Sequence, residues 1–130
     1  MTDSAFIVQA MSLPGNRTIG PYSDAVKAGG MVFASGRIGL NYANMLLVEG
    51  GVGEQTQQCL KNIAEVLEMA GSSLGNVIKS TVFLTDMADF SIMNAVYAEA
   101  FADRKPARST VAVAGLPMGA LVEIEVIAAQ

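Results

Sequence analysis

One arginine of this 130-residue sequence has a type and setting suited to binding an anion. Arg108 lies in the stretch KPARSTVAV, after a Pro-Ala pair and before a run of small and β-branched residues. On a strand, Arg108 shares one face with Thr110 and Ala112, so its planar guanidinium could bind a carboxylate or a phosphate through two parallel hydrogen bonds. The alternative is a surface arginine that pairs with a neighbouring Asp or Glu.

Two glutamates could supply proton transfer. In the stretch LVEIEVIAA, alternation places Glu123 and Glu125 on one face of a strand whose opposite face is wholly aliphatic. A half-buried carboxylate there would have a raised pKa and could carry protons near neutral pH. Alternatively, both side chains face solvent at a sheet edge or pair with a nearby lysine or arginine.

Three further residues have polar groups in suggestive positions. Tyr22 follows a Gly-Pro turn, which could present its hydroxyl to a pocket, although packing is the commoner role of such a tyrosine. Asn94 lies on the apolar stripe of a predicted helix, where a buried amide indicates an internal polar network or a pocket edge. Cys59 is most simply a small core residue.

Composition excludes several classes of function. The formal net charge is −4 and histidine is absent, which argues against phosphate-dominated nucleic-acid binding and removes the commonest general base and metal ligand. No metal-binding or nucleotide-binding motif is present, so we expect no metal and no cofactor. A single cysteine, and no predicted signal peptide or membrane span, favour a cytoplasmic protein with no membrane partner.

The pattern of elements predicts an α+β fold within one domain, residues 1–130. A strand after Gly29-Gly30 precedes a helix over 54–70, a strand over 77–86 and a second helix after Asp89, and strands follow over 109–114 and 121–127. Two helices would therefore cover one face of a mixed sheet. A hydrophobic fraction of 52% is high for a small domain, so we expect the other sheet face to be buried in an oligomer.

Strict alternation also predicts the faces of the first long strand. Met31, Phe33, Ser35 and Arg37 would lie on one face, with Val32, Ala34, Gly36 and Ile38 on the other.

Five stretches together resemble the RidA/YjgF family, also known as liver perchloric-acid-soluble protein (L-PSP). They are IGPYSDAV, MVFASGRIGL, the helix–strand–helix segment from QTQQCLKNIAEVLEMAG to AVYAEAF, KPARSTVAV, and LPMGALVEIEVIA. PARS followed by LP and VEIE is the specific part of the pattern, whereas GPY alone would be weak.

The resemblance implies a chorismate-mutase-like fold and a homotrimer in which three sheets form a central barrel, with active sites between subunits. It implies a hydrolase that deaminates reactive enamines and imines, such as 2-aminoacrylate, 2-iminobutanoate and 2-iminopropanoate. The products are 2-oxo acids and ammonia, and the role is control of metabolite damage. Small 2-imino and 2-oxo carboxylates would be the ligands.

The resemblance also implies roles for individual residues. Arg108 would bind the substrate carboxylate and Glu123 would position or activate water. The cleft would be lined by further residues that match the family's motifs or depart from them: Tyr22, Ser35, Arg37, Asn94 and Thr110. Arg37 stands where many members have glutamine, and would add a cation near the cleft; Thr110 stands where many have cysteine, and Gly39 where many have proline.

Two other functions are compatible with the sequence. Some relatives are described as endoribonucleases that inhibit translation, but the acidic charge and the lack of histidine give that function little support. A non-catalytic regulator could bind a small carboxylate in the same cleft. The presence of both Arg108 and Glu123 favours catalysis, because a binder needs only the arginine.

Overall fold

The computed structural model describes residues 7–15 and 19–130. In them the chain forms strands and two α-helices in this order: β1 (Gln9–Met11), β2 (Ala25–Ala28), β3 (Met31–Ile38), β4 (Leu40–Asn41), β5 (Leu46–Leu47), α1 (Val52–Met69), β6 (Val77–Leu84), α2 (Phe90–Phe101), β7 (Ala107–Ala112) and β8 (Val122–Ala129). Short 3-10 turns lie at Leu74–Asn76, Met87–Asp89 and Pro117–Gly119.

Six of these strands form one mixed sheet in the order β1-β2-β3-β8-β6-β7. All neighbours are antiparallel except β6 and β7, which are parallel and joined by the crossover through α2. The long apolar strand β8 lies between β3 and β6, whereas β7 is an edge strand. Strands β4 and β5 form a small separate ladder.

Both helices pack on the same side of the sheet because each has an apolar stripe. On α1 the buried residues include Leu60, Ile63 and Leu67, and on α2 they include Met93 and Tyr97. They share one core with the buried alternate residues of β3, β6 and β8. Helix α1 ends at Met69, before Gly71 with φ +81°, a conformation that glycine adopts without strain. The predicted α+β fold is confirmed.

The other face of the sheet is open and partly apolar. Phe33 on β3 and Val111 on β7 remain exposed there, and Phe83 and Ile127 are half-buried between them. A patch of this kind commonly marks a contact with another protein surface. The predicted homotrimer with a central barrel stays a prediction.

The sequence-based expectation is wrong at two places in the first third of the chain. Strands β1 and β2 were not predicted, because they are three and four residues long and have no clear alternation. The prediction that Arg37 shares a face with Phe33 and Ser35 is also wrong. A β-bulge between Ala34 and Arg37 shifts the register, so Arg37 pairs with the buried Ile124.

Candidate functional site

Arg108 lies on the helix side of edge strand β7, held by aromatic rings of α2. Its register partner is the buried Ser80 of β6. The guanidinium carbon is 4.7 Å from the ring centre of Tyr97 and 5.7 Å from that of Phe90, within cation–π range. Tyr97 is fixed in turn by a 2.6 Å hydrogen bond between its hydroxyl and that of Ser80. Across the described residues Arg108 forms no ion pair, so its charge is available to a ligand.

A groove of about 290 Å³ opens beside this guanidinium. Its walls come from α2 and from the segment leading into β7: Asn94, Tyr97, Ala98, Phe101, Lys105, Pro106 and Arg108. The Oδ1 atom of Asn94 and the Oγ1 atom of Thr110 are buried and have no hydrogen-bond partner among the residues that the structure describes. Burial raises the pKa of Tyr97, although its hydrogen bond to Ser80 and the charge of Arg108 act in the opposite direction. This groove combines a cation, apolar walls and nearby unpaired acceptors.

Glu123 lies on the open side of the central strand β8, opposite Ile38 of β3 and Phe83 of β6. Gly36 is packed directly against its carboxyl group: a Cβ atom at Gly36 would be 2.9 Å from Glu123 Cδ. Burial raises the pKa of Glu123, and the neighbouring charge of Glu125 raises it further. Such a carboxyl group can accept and return a proton closer to neutral pH than an exposed glutamate.

An open groove of about 590 Å³ runs over the Glu123 carboxyl group. Its walls come from the turn before β2, the bulge of β3 and the turn before β8: Ile19, Tyr22, Ser35, Gly36, Pro117, Glu123 and Glu125. The Ser35 hydroxyl donates a 2.6 Å hydrogen bond to the Ser23 carbonyl, so its oxygen faces any ligand as an acceptor. Across the described residues, neither glutamate forms an ion pair.

Arg37 lies below this groove and is buried. Its guanidinium forms an ion pair with Asp24, and Nη1 donates a 2.8 Å hydrogen bond to the Tyr42 hydroxyl. A small cavity of about 30 Å³ has Arg37, Tyr42, Tyr22 and Glu123 among its lining residues. The role of Arg37 in substrate binding stays a prediction, but its charge is already paired inside the protein.

Two groups of predicted site residues thus occur, and one protomer does not bring them together. Tyr22, Ser35 and Glu123 line one groove, whereas Arg108 and Asn94 line another. Arg108 is aligned through Ser80 with the buried Val126, so it projects from the face opposite to Glu123. Within the plane of the sheet, Arg108 and Glu123 are two strand spacings apart across the strands and three residues apart along them, which places their backbones roughly 14 Å from each other. A short organic acid cannot contact both within one chain.

Sequence reasoning did not identify Gly36, Asp24 or Tyr42 as parts of the Glu123 side. The SG pair in a strand was a usable signal, since glycine inside a strand often marks a bulge or a close approach. Nothing in the local sequence indicated that Asp24 pairs with Arg37, because their contact depends on the pairing of β2 with β3.

No three His, Cys, Asp or Glu side chains within 7–15 and 19–130 come close enough to hold a metal ion. None of the helices in that part of the chain is long and apolar enough to cross a bilayer.

Comparison with known proteins gives consistent matches. The family model described as "Endoribonuclease L-PSP" matches residues 14–130. A RutC family protein of Pyrococcus horikoshii is 51% identical over 112 residues, which is 86% of this chain and 89% of that protein. The human protein named 2-iminobutanoate/2-iminopropanoate deaminase is 42% identical over 124 residues, which is 95% of this chain and 89% of that protein.

A solved structure agrees with the fold. The crystal structure of RidA from an Antarctic Psychrobacter bacterium superposes with a TM-score of 0.88 at 40% identity, covering 94% of this chain and 99% of that one. The identities and the superposition extend over most of the chain. The family match covers residues 14–130 and so includes the motifs around Tyr22, Arg108 and Glu123. The chain therefore belongs to the L-PSP family, the RidA/YjgF family that those motifs indicated.

Proposed function

We propose that the protein is a deaminase that hydrolyses 2-iminobutanoate, 2-iminopropanoate and the enamine 2-aminoacrylate to 2-oxo acids and ammonia. One observation carries the proposal: a guanidinium with no ion pair to residues 7–15 or 19–130 lies in one groove, and a carboxyl group of raised pKa lies in another. The family includes relatives named for this reaction at 42% identity and above. A ligand with a carboxylate beside an electrophilic carbon needs both groups.

The proposed active site is formed between two copies of the chain. Arg108 of one copy and Glu123 of the next would meet if the edge of one sheet lay against the open face of its neighbour. The exposed Phe33 and Val111 support such a contact, since they give that face apolar area to bury. A closed ring of three copies, the homotrimer that the resemblance implies, would repeat this contact without leaving a free edge.

The chemistry follows from the two groups. Arg108 binds the substrate carboxylate through charge-assisted hydrogen bonds and so orients the C=N carbon. Glu123 accepts a proton from water as the water oxygen bonds to the carbon of the protonated imine, giving a neutral carbinolamine. The same carboxyl group returns that proton to nitrogen. It then takes the proton of the new hydroxyl group as the C–N bond breaks and the C=O bond forms, and ammonia and the 2-oxo acid leave. An enamine first gains a proton on carbon, which Glu123 can relay.

The groove around Arg108 has polar groups for a small substrate besides the guanidinium. Among the described residues, the Asn94 Oδ1 atom and the Thr110 hydroxyl group have no hydrogen-bond partner, and both lie on the same side of the sheet as Arg108. We assign Asn94, Tyr22 and Ser35 to the walls of the cleft, and Thr110 to backbone contact with the carboxylate. Ribonuclease activity is not favoured, because a net charge of −4 opposes binding to a polyanion. The reducing cytoplasm is the compartment that we expect for this chain.

The test is a deaminase assay on substrate formed in place. An amino-acid oxidase generates 2-iminobutanoate, and 2-oxobutanoate formation is followed with and without the protein. Wild type should accelerate hydrolysis well above the buffer rate. Glu123→Gln should lower kcat by about 10²- to 10⁴-fold with KM little changed, because general acid–base catalysis contributes that much. Arg108→Ala should lower kcat/KM by about 10²- to 10³-fold, through loss of charged hydrogen bonds.

Three results separate the alternatives. A wild-type rate equal to that of buffer, with 2-oxobutanoate still bound in an Arg108-dependent manner, would mean a carboxylate-binding regulator. Cleavage of RNA that disappears in Arg108→Ala would favour the endoribonuclease. Full activity in Glu123→Gln would remove the proposed proton carrier. Lys61→Ala, which changes an exposed helix charge, is the control for a general effect of charge.

A further inference from the structure

A buried ion pair lies directly beneath the Glu123 groove. The Arg37 and Asp24 side chains are 2% and 1% exposed, and both charges are enclosed by protein. Removing two charges from water costs about as much as their attraction returns, so such a pair contributes little net stability. Its best-attested use in proteins is to specify one register or arrangement over others. The pair is neutral as a unit and therefore acts through geometry more than through net charge.

The pair joins three backbone segments. Asp24 Oδ2 accepts a 2.7 Å hydrogen bond from the Leu13 backbone N–H, after β1. The Asp24 carbonyl accepts a 3.0 Å bond from the Ser35 N–H, at the start of the β3 bulge. Arg37 is the residue at which regular pairing with β8 resumes after the bulge, and its guanidinium donates a hydrogen bond to Tyr42. The ion pair, together with the backbone bond between Ser35 and Asp24, thus ties the β3 bulge to the Asp24 segment and to the chain after β1.

The segments that the ion pair holds include residues that surround the Glu123 carboxyl group. Gly36, between Ser35 and Arg37, is the backbone packed against the Glu123 carboxyl group. Tyr22, two residues before Asp24, lines both cavities that Glu123 lines. Arg37 lines the smaller of these, which at about 30 Å³ has room for little more than one water molecule. Small shifts of the bulge would change the shape of this space around the Glu123 carboxyl group.

We propose that Asp24 and Arg37 are positioning residues for Glu123, holding Gly36 and Tyr22 against its carboxyl group. The inference rests on the proposed function in one respect, the role of Glu123 as proton carrier. Arg37, the arginine after the SG pair, then has a role without contacting substrate, because its guanidinium is paired with Asp24 and Tyr42.

The test removes both charges together. Asp24→Asn/Arg37→Met keeps the net charge, retains an amide oxygen for Leu13 and fills the guanidinium volume with an apolar chain. Replacing a buried ion pair in this way is commonly neutral or stabilising, so the variant is expected to fold. Arg37→Lys, which keeps the pairing with Asp24, is the conservative comparison. Ser72→Ala is the control, since it removes a buried hydrogen bond to Ala129 at the far end of β8.

Two properties are measured for each variant. The first is the pair of kinetic constants kcat and KM, and the second is the titration of Glu123, followed by NMR on ¹³C-labelled glutamate. Other ionisable groups near Glu123 or its cavity must be considered when the titration is assigned: Glu125, Tyr22, Tyr42, Asp24, Arg37 and the buried Cys59. In Asp24→Asn/Arg37→Met we expect Glu123 to titrate at lower pH, because Gly36 and Tyr22 cover its carboxyl group less closely, and kcat to fall about tenfold with KM little changed. Arg37→Lys should retain most of both properties, and Ser72→Ala should alter neither.

The outcomes are distinguishable. An unchanged Glu123 titration together with an unchanged kcat in the double variant would overturn the positioning role. If wild type releases no ammonia, the proposed function fails, yet the NMR titration still decides whether the pair controls the Glu123 environment. If the double variant does not fold, Arg37→Gln, which removes the ion pair but keeps an amide donor toward Asp24, should shift the titration in the same direction by less; no shift there would overturn the proposal.

Discussion

The two faces of the sheet carry different functional groups, a guanidinium on the helix side and a carboxyl group on the open side. On the helix side, the edge strand β7 presents Arg108 against aromatic rings, in a groove with an unpaired amide acceptor. On the open side, the central strand β8 presents Glu123, whose pKa is raised by burial, among tyrosine and serine hydroxyl groups. One face can hold an anion, and the other can move a proton.

Under the proposed function, this difference means that neither groove is a complete active site by itself. A cation without a proton carrier would only bind a carboxylate, and a carboxyl group without a cation would repel one. Because the two project from opposite faces of a single sheet, a second copy of the chain is the simplest source of the missing half. The apolar open face gives that copy a surface to contact.

The largest effect should come from breaking the contact between copies. Phe33→Asp places a charge on the exposed apolar face, where burial of an unpaired carboxylate in an interface is costly. We expect the assembly to dissociate to monomers in sedimentation velocity, with deaminase activity lost. Ile92→Asp, on the exposed side of α2, is the matched control and should leave both intact. A Phe33→Asp protein that stays assembled and active would show that this face is not the interface.

A smaller effect should appear in the pH dependence of stability. The folded-state pKa of Glu123 is raised, so its ionised form destabilises the folded protein. This penalty is absent below the ordinary glutamate pKa and grows as pH rises through the folded-state pKa. Glu123→Gln should therefore be more stable than wild type at pH 7 and nearly equal to it near pH 4. The gain should be at most about 1 kcal/mol, because solvent reaches part of this carboxyl group and screens its charge. Urea unfolding at both pH values measures this.

The control is Glu68→Gln, which removes an exposed carboxylate from α1. A Glu123→Gln variant less stable than wild type at pH 7 would mean that the carboxylate has a favourable partner in the assembled protein. The groove around Glu123 would then differ from the one described.

The smallest effect is expected on the Arg108 side. In the described part of the chain the buried Thr110 hydroxyl oxygen has no hydrogen-bond partner. An apolar group of the same shape avoids the cost of burying an unpaired polar group. Thr110→Val should leave the free energy of unfolding unchanged or raise it by up to about 1 kcal/mol, with KM unaltered, since the proposed carboxylate contact is through the backbone. A tenfold rise in KM would assign the hydroxyl itself to the substrate.

Much of the architecture could be predicted from local pattern. The predicted helix over 54–70 is found as Val52–Met69, and the predicted strand over 121–127 as Val122–Ala129. Alternation also gave the faces of β8 correctly, because Val122, Ile124 and Val126 are buried and Glu123 is not. These elements are long and strongly periodic, so local sequence determines them.

What could not be predicted depends on contacts distant in sequence. The bulge that turns Arg37 inward is set by the pairing of β3 with β8, and its partner Asp24 lies on another strand. The relation of Arg108 to Glu123 depends on the parallel register of β6 and β7. A one-residue change in that register would move Arg108 to the other face.

Complementation between two inactive variants tests the shared site most directly. Arg108→Ala and Glu123→Gln chains are co-expressed with different tags, and the mixed assemblies are purified through both tags. If each site takes its arginine from one copy and its glutamate from the next, every mixed trimer has one intact site out of three, and deaminase activity should return to about one third of the wild-type value. Activity no higher than that of the separate variants, in assemblies shown to contain both chains, would contradict a site shared between copies.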